Sequence, residues 1–419
     1  MSTPYYLMAF LYLLLAVLTA FDAAFTSYTL LPWFNGLRWL RVHFITLGVL
    51  TQVIFGLLPG LVAIRTKQSR PKFRWATWTT LNVGLIVLLI GIPLVNTYLI
   101  FIGGTLVFVA ALLLGYQLYS MRGSTNNQVS QQPQIIEHVI NGRNFYIAGL
   151  SYFLFGIIVG TGLWLGWSNV LRISVPIEVH IHANNWGLMS LVFAGLLVDL
   201  YPRFSGRSLA WPRSITPIFW MMTLGALGLV LGPWFSSLYF TVPGLILHLS
   251  ATIWLLLNII VPIWDDRDAW HPGIWHLVLS YLWILAPVLV APLILLGVPG
   301  FPGAGIEQHA PQALVYGWVF QFGYAVLPYL FRRAFLPHEP SMLGGNVFSL
   351  ITVNLGGVFL WAGIFITPYI GLLHGTAYVL WAFSTLPLVI EIWHIVREGL
   401  ANLEASDIPI DVGSASSTD

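Results

Sequence analysis

The chain has 419 residues, of which 58% are hydrophobic and only 8% are charged. Soluble domains carry about 25% charged residues, so this composition excludes a water-soluble enzyme and indicates a polytopic membrane protein. The net charge of +2 excludes the dense basic surface that nucleic-acid binding requires. The absence of cysteine excludes disulfides and thiolate-bound metals, so His, Met or carboxylates must hold any metal.

Twelve apolar stretches are each long enough to cross a bilayer, which takes about 20 residues. They predict an all-α membrane protein with 12 transmembrane helices in a single domain over residues 1–400. The predicted spans are 5–30, 38–64, 75–95, 97–120, 145–167, 174–201, 214–234, 238–263, 275–297, 307–331, 344–366 and 369–395.

The basic residues predict the orientation of these spans. If the N-terminus lies on the basic side, the loops there hold all but three of the 17 Lys and Arg, and the opposite side has Arg38, Arg41 and Arg172. The positive-inside rule then places both termini in the cytoplasm. We expect an integral protein of a prokaryotic inner membrane.

Two breaks divide the predicted helices into three groups of four, at residues 1–121, 144–264 and 274–397. The first break, 122–143, is rich in Ser, Asn and Gln and predicts a flexible cytoplasmic linker. The second break is the acidic stretch at 264–273. Residues 401–419 are acidic and Ser-rich and predict a disordered cytoplasmic tail.

Six of the 11 histidines lie in the predicted outer half of the membrane. Ionisable residues at this depth are costly and usually functional, so we expect metal ligands among them. The second helix of each group carries the main candidates, which are His43, His180, His182 and His309. His248 and His374 are weaker candidates for additional ligands. We assign no chemical role to the remaining five, which lie near predicted cytoplasmic ends: His138, His271, His276, His338 and His394.

His180 and His182 are two residues apart on one predicted helix, so their side chains point about 200° apart. They cannot bind one metal while the helix is regular, and each needs its own partner. Histidines on the second and tenth helices could be these partners. The sixth helix would then provide ligands to two haems, or to a haem and another metal. Arg38, Arg41 and Arg172 precede the histidines and could pair with haem propionates, although ordinary interfacial arginines would give the same pattern.

The sixth predicted helix, HIHANNWGLMSLVFAGLLVDLYPRF, resembles the tenth helix of the catalytic subunit of the haem–copper oxidase superfamily, which includes cytochrome oxidases and nitric oxide reductases. The matching positions are His180, His182, Gly187, Tyr201 and Pro202. The resemblance implies 12 helices in three pseudo-symmetric four-helix arcs, with one or two b-type haems near the outer face. A likeness to NnrS-type haem–copper membrane proteins is looser.

Two departures from the family pattern change what the resemblance implies. The His-x-His pair lies in the middle arc, whereas the family has it in the last. The two patterns correspond only after a rotation by one arc. This rotation places His309 opposite His182 and His43 opposite His180. The unrotated alternative pairs His43 with one member of the His-x-His pair. The third helix also lacks the family's paired copper histidines, so we do not expect a copper-dependent proton pump, and binding of copper or another non-haem metal stays open.

The resemblance implies electron transfer or redox chemistry on O2 or NO, with quinol or a periplasmic cytochrome as donor. Respiratory subunits or further copies of the chain are the expected protein partners. Two other classes stay open: a cofactor-free 12-helix transporter, and a catalytically silent haem subunit of a larger respiratory complex. Only Asp22, Asp199 and Glu391 are carboxylates predicted within helices, and they predict no proton channel.

Overall fold

The computed structural model describes residues 3–30, 37–66, 68–69, 71–121 and 142–407, apart from the side chains of Arg38 and of residues 403–407. The described residues form helices and no strands. Eleven of these helices are long and apolar enough to cross a membrane, as expected for a polytopic membrane protein. The predicted third span is a shorter apolar helix of 17 residues. Most of the predicted linker and the end of the predicted tail lie outside the described residues.

The helices follow the predicted spans with small shifts at their ends. The tenth and twelfth extend furthest beyond the prediction, because polar residues continue both helices past their apolar stretches. In chain order they are α1 (Thr3–Ser27), α2 (Trp39–Arg65), α3 (Trp75–Gly91), α4 (Thr97–Ser120), α5 (Arg143–Leu165), α6 (Pro176–Ser205), α7 (Pro212–Phe235), α8 (Leu238–Ile263), α9 (Pro272–Leu295), α10 (Gly303–Phe335), α11 (Val347–Phe365) and α12 (Thr367–Asn402).

Three helices, α2, α6 and α10, lie inside the bundle and are called the inner helices below. Between 72% and 94% of their most apolar stretches is buried, against 33–50% in the other long spans. Of the eleven long spans in the described structure, α6 and α10 are the least apolar, and polar residues of a membrane protein are expected to face the bundle interior. The inner helices carry the four main candidate histidines, whose side chains are half-buried near one end of each helix.

Each inner helix contains a π-helical segment of seven residues. Such segments are rare and occur frequently at functional sites. A glycine in each segment lies against an aromatic side chain of the preceding helix, and a Cβ on the glycine would overlap that side chain. The same contact therefore recurs in all three predicted groups. The pairs are Gly48 with Tyr12, Gly187 with Tyr152, and Gly317 with Trp283.

A buried carboxylate joins the ends of α2, α5 and α6 on the side opposite the candidate histidines. Asp199 is 2% exposed. It accepts hydrogen bonds from Arg65 Nε at 2.9 Å, from the Tyr146 hydroxyl at 2.8 Å and from the Gly142 amide at 3.1 Å. A buried charge needs such partners. Asp199 thus anchors three helices.

Candidate functional site

His180 lies in the first turns of α6, facing α5. Its Nδ1 is 2.9 Å from the carbonyl oxygen of Gly156, and its ring packs on Gly160, where a Cβ would overlap it. A carbonyl oxygen can only accept, so Nδ1 carries the proton and Nε2 keeps a lone pair. Among the described residues no hydrogen-bond donor faces that Nε2.

His182 faces the other side of α6, toward α7. Its Nδ1 is 2.6 Å from the carbonyl oxygen of Leu229. Four residues after Leu229 stands Pro233, inside α7. Proline has no amide hydrogen, so the Leu229 carbonyl lacks its usual helical partner and is available to His182. The two histidines of the His-x-His pair thus turn toward different helices, as their spacing predicts.

His43 belongs to α2 and lies just before its π-helical segment. Its ring stacks on Trp39 with 3.7 Å between ring centres, and its Nδ1 is 2.7 Å from the Trp39 carbonyl oxygen. The partners that the structure gives His43 are therefore both on Trp39, one turn earlier in the same helix.

His43, His180 and His182 share one hydrogen-bonding pattern. Each donates a hydrogen bond from Nδ1 to a backbone carbonyl, which leaves Nε2 with a lone pair. Histidines that bind metals almost always use their second ring nitrogen in this way, which fixes the tautomer and the ring orientation. His248 and His374 differ, because their Nε2 atoms face the carbonyl oxygens of Trp186 at 3.3 Å and Leu360 at 3.2 Å.

A half-open cavity of about 240 Å3, lined by both polar and apolar atoms, lies between α1, α2, α10 and α12. His309 and His374 line it, with ring centres 4.4 Å apart in an edge-to-face arrangement. Arg41 also lines it and pairs with Asp22, at 3.2 Å from Nη2 to the carboxylate. The structure thus gathers His309, His374 and Arg41 around one space, while the rings of His182 and His309 face different helices, α7 and α12.

The other two outer arginines are less informative. Arg172 is exposed in the turn before α6, with a φ of 51°. The side chain of Arg38 lies outside the described residues. Arg41 is therefore the outer arginine whose partners the structure defines.

His276 has no role predicted from the sequence, where it lies near a predicted cytoplasmic end. The structure buries it completely in α9, with its Nε2 2.9 Å from the Ser349 hydroxyl. The reason is that α11 and α10 pack over this end of α9, and Tyr324 lies edge-on to the imidazole at 5.4 Å. The signal available in the sequence was that His276 falls within the predicted span 275–297, whose start the structure moves back to Pro272.

Within the described parts of the chain, no three His, Asp or Glu side chains converge on a common point. A metal ion held by protein alone therefore finds no such centre there. A haem iron is different, because the porphyrin supplies most of its ligands and the protein adds only one or two axial groups. The isolated Nε2 atoms fit that requirement. No protein-family model matches the chain, and no curated protein is significantly similar to it.

Proposed function

We propose that this protein is a haem-binding integral membrane protein with 12 spans, arranged like subunit I of the haem–copper oxidases. The eleven long apolar helices and the shorter α3 support the number of spans. The glycine–aromatic contact that recurs on α2, α6 and α10 supports three pseudo-symmetric groups. The charge distribution in the loops supports cytoplasmic termini and a prokaryotic inner membrane.

One observation carries the haem assignment: the Nδ1 atoms of His43, His180 and His182 are bound to backbone carbonyls. Each ring is fixed in the tautomer that presents Nε2 to a metal. We assign these three histidines, with His309, as axial ligands of one or two b-type haems near the outer face. His248 and His374 have engaged Nε2 atoms and remain weaker candidates for additional ligands.

The cavity beside His309 supports a second part of this proposal. Arg41 uses Nε and Nη2 for Asp22, and a guanidinium has further N–H donors for a carboxylate such as a haem propionate. The guanidinium is almost fully buried, which strengthens such a pair. Arg41 would hold the propionate, and Asp22 would keep the guanidinium in place.

A bound haem would supply one-electron transfer and, with an open axial position, binding of a small ligand such as O2 or NO. The histidines would hold the iron, and Arg41 would orient the group through a propionate. We propose quinol or a periplasmic cytochrome as electron donor, and respiratory subunits or a second copy as protein partners. Direct metal analysis tests whether a non-haem metal such as copper is also bound.

The test is a dithionite-reduced minus oxidised spectrum of the protein purified in mild detergent, with haem and metals quantified per chain. We expect b-type haem, and less haem in His180→Ala and His182→Ala. His394→Ala is the control, because His394 is exposed near the predicted cytoplasmic end of α12. Absence of haem after expression with haem supplied would overturn the proposal and favour the cofactor-free transporter. Haem with no turnover toward quinol, cytochrome, O2 or NO would favour the silent subunit.

A further inference from the structure

A small cavity lies at the predicted cytoplasmic end of the first helical group, where α1, α2, α3 and α4 meet. Its volume is about 40 Å3, which is room for about three water-sized groups at about 15 Å3 each. It lies near the end of α2 opposite His43, so it is independent of the haem assignment. We call it the basic cavity, and the lining residues that matter here are Tyr5, Lys72, Arg74, Thr77 and Gln117.

Three of these residues are buried polar side chains from three different helices. Tyr5, Thr77 and Gln117 are 6%, 5% and 6% exposed. Their side chains make no hydrogen bond to any other described residue, and the bond that Ser120 donates to Gln117 reaches only its backbone carbonyl. Buried polar groups almost always have a partner. Two hydroxyls and an amide, all able to donate, therefore mark the basic cavity as a site for a polar ligand.

The charges around the basic cavity show which ligand it suits. Lys72 and Arg74 line it and are exposed. All five ion pairs between described residues involve other side chains, so no described carboxylate neutralises these two cations. The ligand that they favour is an anion.

The start of α3 adds to this positive potential. The helix begins at Trp75, directly after Arg74, and no side chain caps its first turn. The first amides of a helix have no partner within it, and together with the helix dipole they attract anions. A phosphate group meets all these requirements, because it carries negative charge and several acceptor oxygens on one small tetrahedral centre.

The depth of the basic cavity indicates where such a phosphate comes from. Trp75 is exposed beside the cavity, and Tyr116 and Tyr119 are exposed near the end of α4 that contributes Gln117. Exposed tryptophan and tyrosine at the ends of transmembrane helices lie at the level of the lipid headgroups. The cavity therefore lies at the level of lipid phosphates, on the side where anionic lipids give the membrane surface a negative potential.

We propose that the basic cavity binds a phosphate group and that an anionic phospholipid supplies it. Lys72 and Arg74 pair with the negative charge, while Tyr5, Thr77 and Gln117 donate hydrogen bonds to the phosphate oxygens. Two cations without a carboxylate favour a lipid of net negative charge over a zwitterionic one. Free phosphate shares this chemistry but lacks acyl chains, which would lie along the exposed apolar surfaces of α3 and α4.

The experiment measures melting temperatures of the purified, delipidated full-length protein in mild detergent. Dioleoylphosphatidylglycerol, dioleoylphosphatidylcholine and inorganic phosphate are titrated separately. A ligand that binds the folded state raises the melting temperature, so we expect a saturable rise with phosphatidylglycerol and little change with the other two. Lys72→Gln and Arg74→Gln should each raise the phosphatidylglycerol concentration for half of the effect about tenfold, because each removes a charged donor.

Arg213→Gln is the matched control. Arg213 is exposed on the predicted cytoplasmic side at the start of α7, the third helix of its group, as Arg74 is for α3, but it does not line the basic cavity. Thr77→Val removes a buried hydroxyl without changing the charge, and it should also weaken the response to phosphatidylglycerol. Melting temperatures without ligand show whether each variant is folded, and native mass spectrometry counts the bound lipid directly.

The outcomes separate the site from its alternatives. An equal response to inorganic phosphate would keep the site but overturn the lipid as its ligand. No response of the wild type to either anion would overturn the proposal. An equal weakening in Arg213→Gln would overturn it too, because it would trace binding to the general charge of this surface, and so would unchanged responses in Arg74→Gln and Thr77→Val.

Discussion

His182 donates a hydrogen bond from Nδ1 to the carbonyl oxygen of Leu229, 2.6 Å away, at a position where the helix offers that carbonyl no partner. The missing partner is the amide of Pro233, which has no hydrogen to donate. A proline in α7 thus determines which nitrogen of a histidine in α6 is free. This relationship makes Pro233 a positioning residue for the proposed haem site.

Replacing Pro233 with Ala should weaken haem binding while leaving the fold intact. The new amide would compete with His182 for the Leu229 carbonyl, and loss of such an orienting contact typically lowers metal affinity by about tenfold or more. Haem content per chain and the reduced-state absorption spectrum measure the effect. Pro243→Ala in α8 is the control, because Pro243 also lies inside a helix but away from this contact. Equal spectra and haem contents in both variants would contradict the assigned role.

Gly187→Ala should destabilise the protein, because the added Cβ would overlap the Tyr152 side chain. Overpacking of this kind costs about 1–3 kcal/mol. Gly115→Ala in α4 is the matched control, since nothing lies within 4 Å of its added Cβ. Melting temperatures in detergent should fall for Gly187→Ala and stay level or rise for Gly115→Ala. A similar fall in both would indicate that glycine itself, and not the aromatic contact, is required.

Asp199→Asn should be strongly destabilising, because it removes the charge that faces Arg65 at 2.9 Å. Breaking a buried ion pair costs about 3 kcal/mol or more. The exposed pair of Asp266 and Arg207, at 2.7 Å, provides the comparison, and Asp266→Asn should change the melting temperature only slightly. An equal fall in melting temperature in the two variants would contradict the prediction that the buried Asp199 pair stabilises the fold more than the exposed Asp266 pair.

The Asp266 pair also predicts a direction of pH dependence. The hydrogen bond from Arg207 lowers the pKa of Asp266 below its ordinary value of 3.8. A carboxylate with a lowered pKa stabilises the folded state above its unfolded pKa, and this contribution disappears as the pH falls through the folded value. The small difference in melting temperature between wild type and Asp266→Asn should therefore be present at neutral pH and vanish below about pH 4. A difference that grows on acidification would contradict this sign.

Local features of the sequence account for much of the fold. The helices follow apolar stretches, because a bilayer requires about 20 such residues for each crossing. The divergence of His180 and His182 follows from the turn angle of a helix, and the structure shows it as partners on α5 and α7. The positions of the three glycines in the π-helical segments can be read from the sequence. The aromatic side chains that contact them lie on other helices, and the sequence does not predict these contacts.

Tertiary packing decided which hydrogen-bond partners the polar side chains have. The sequence contains His43, His180 and His182, but the carbonyls that fix their tautomers are set by packing and local helix geometry. For His182 the partner is Leu229, 47 residues away. Packing also buried His276 beside Ser349 and set Arg41 against Asp22, contacts that no local pattern specifies. Spacing along one helix determines the direction of a side chain, whereas its partner depends on which helices pack together, and that depends on the whole chain.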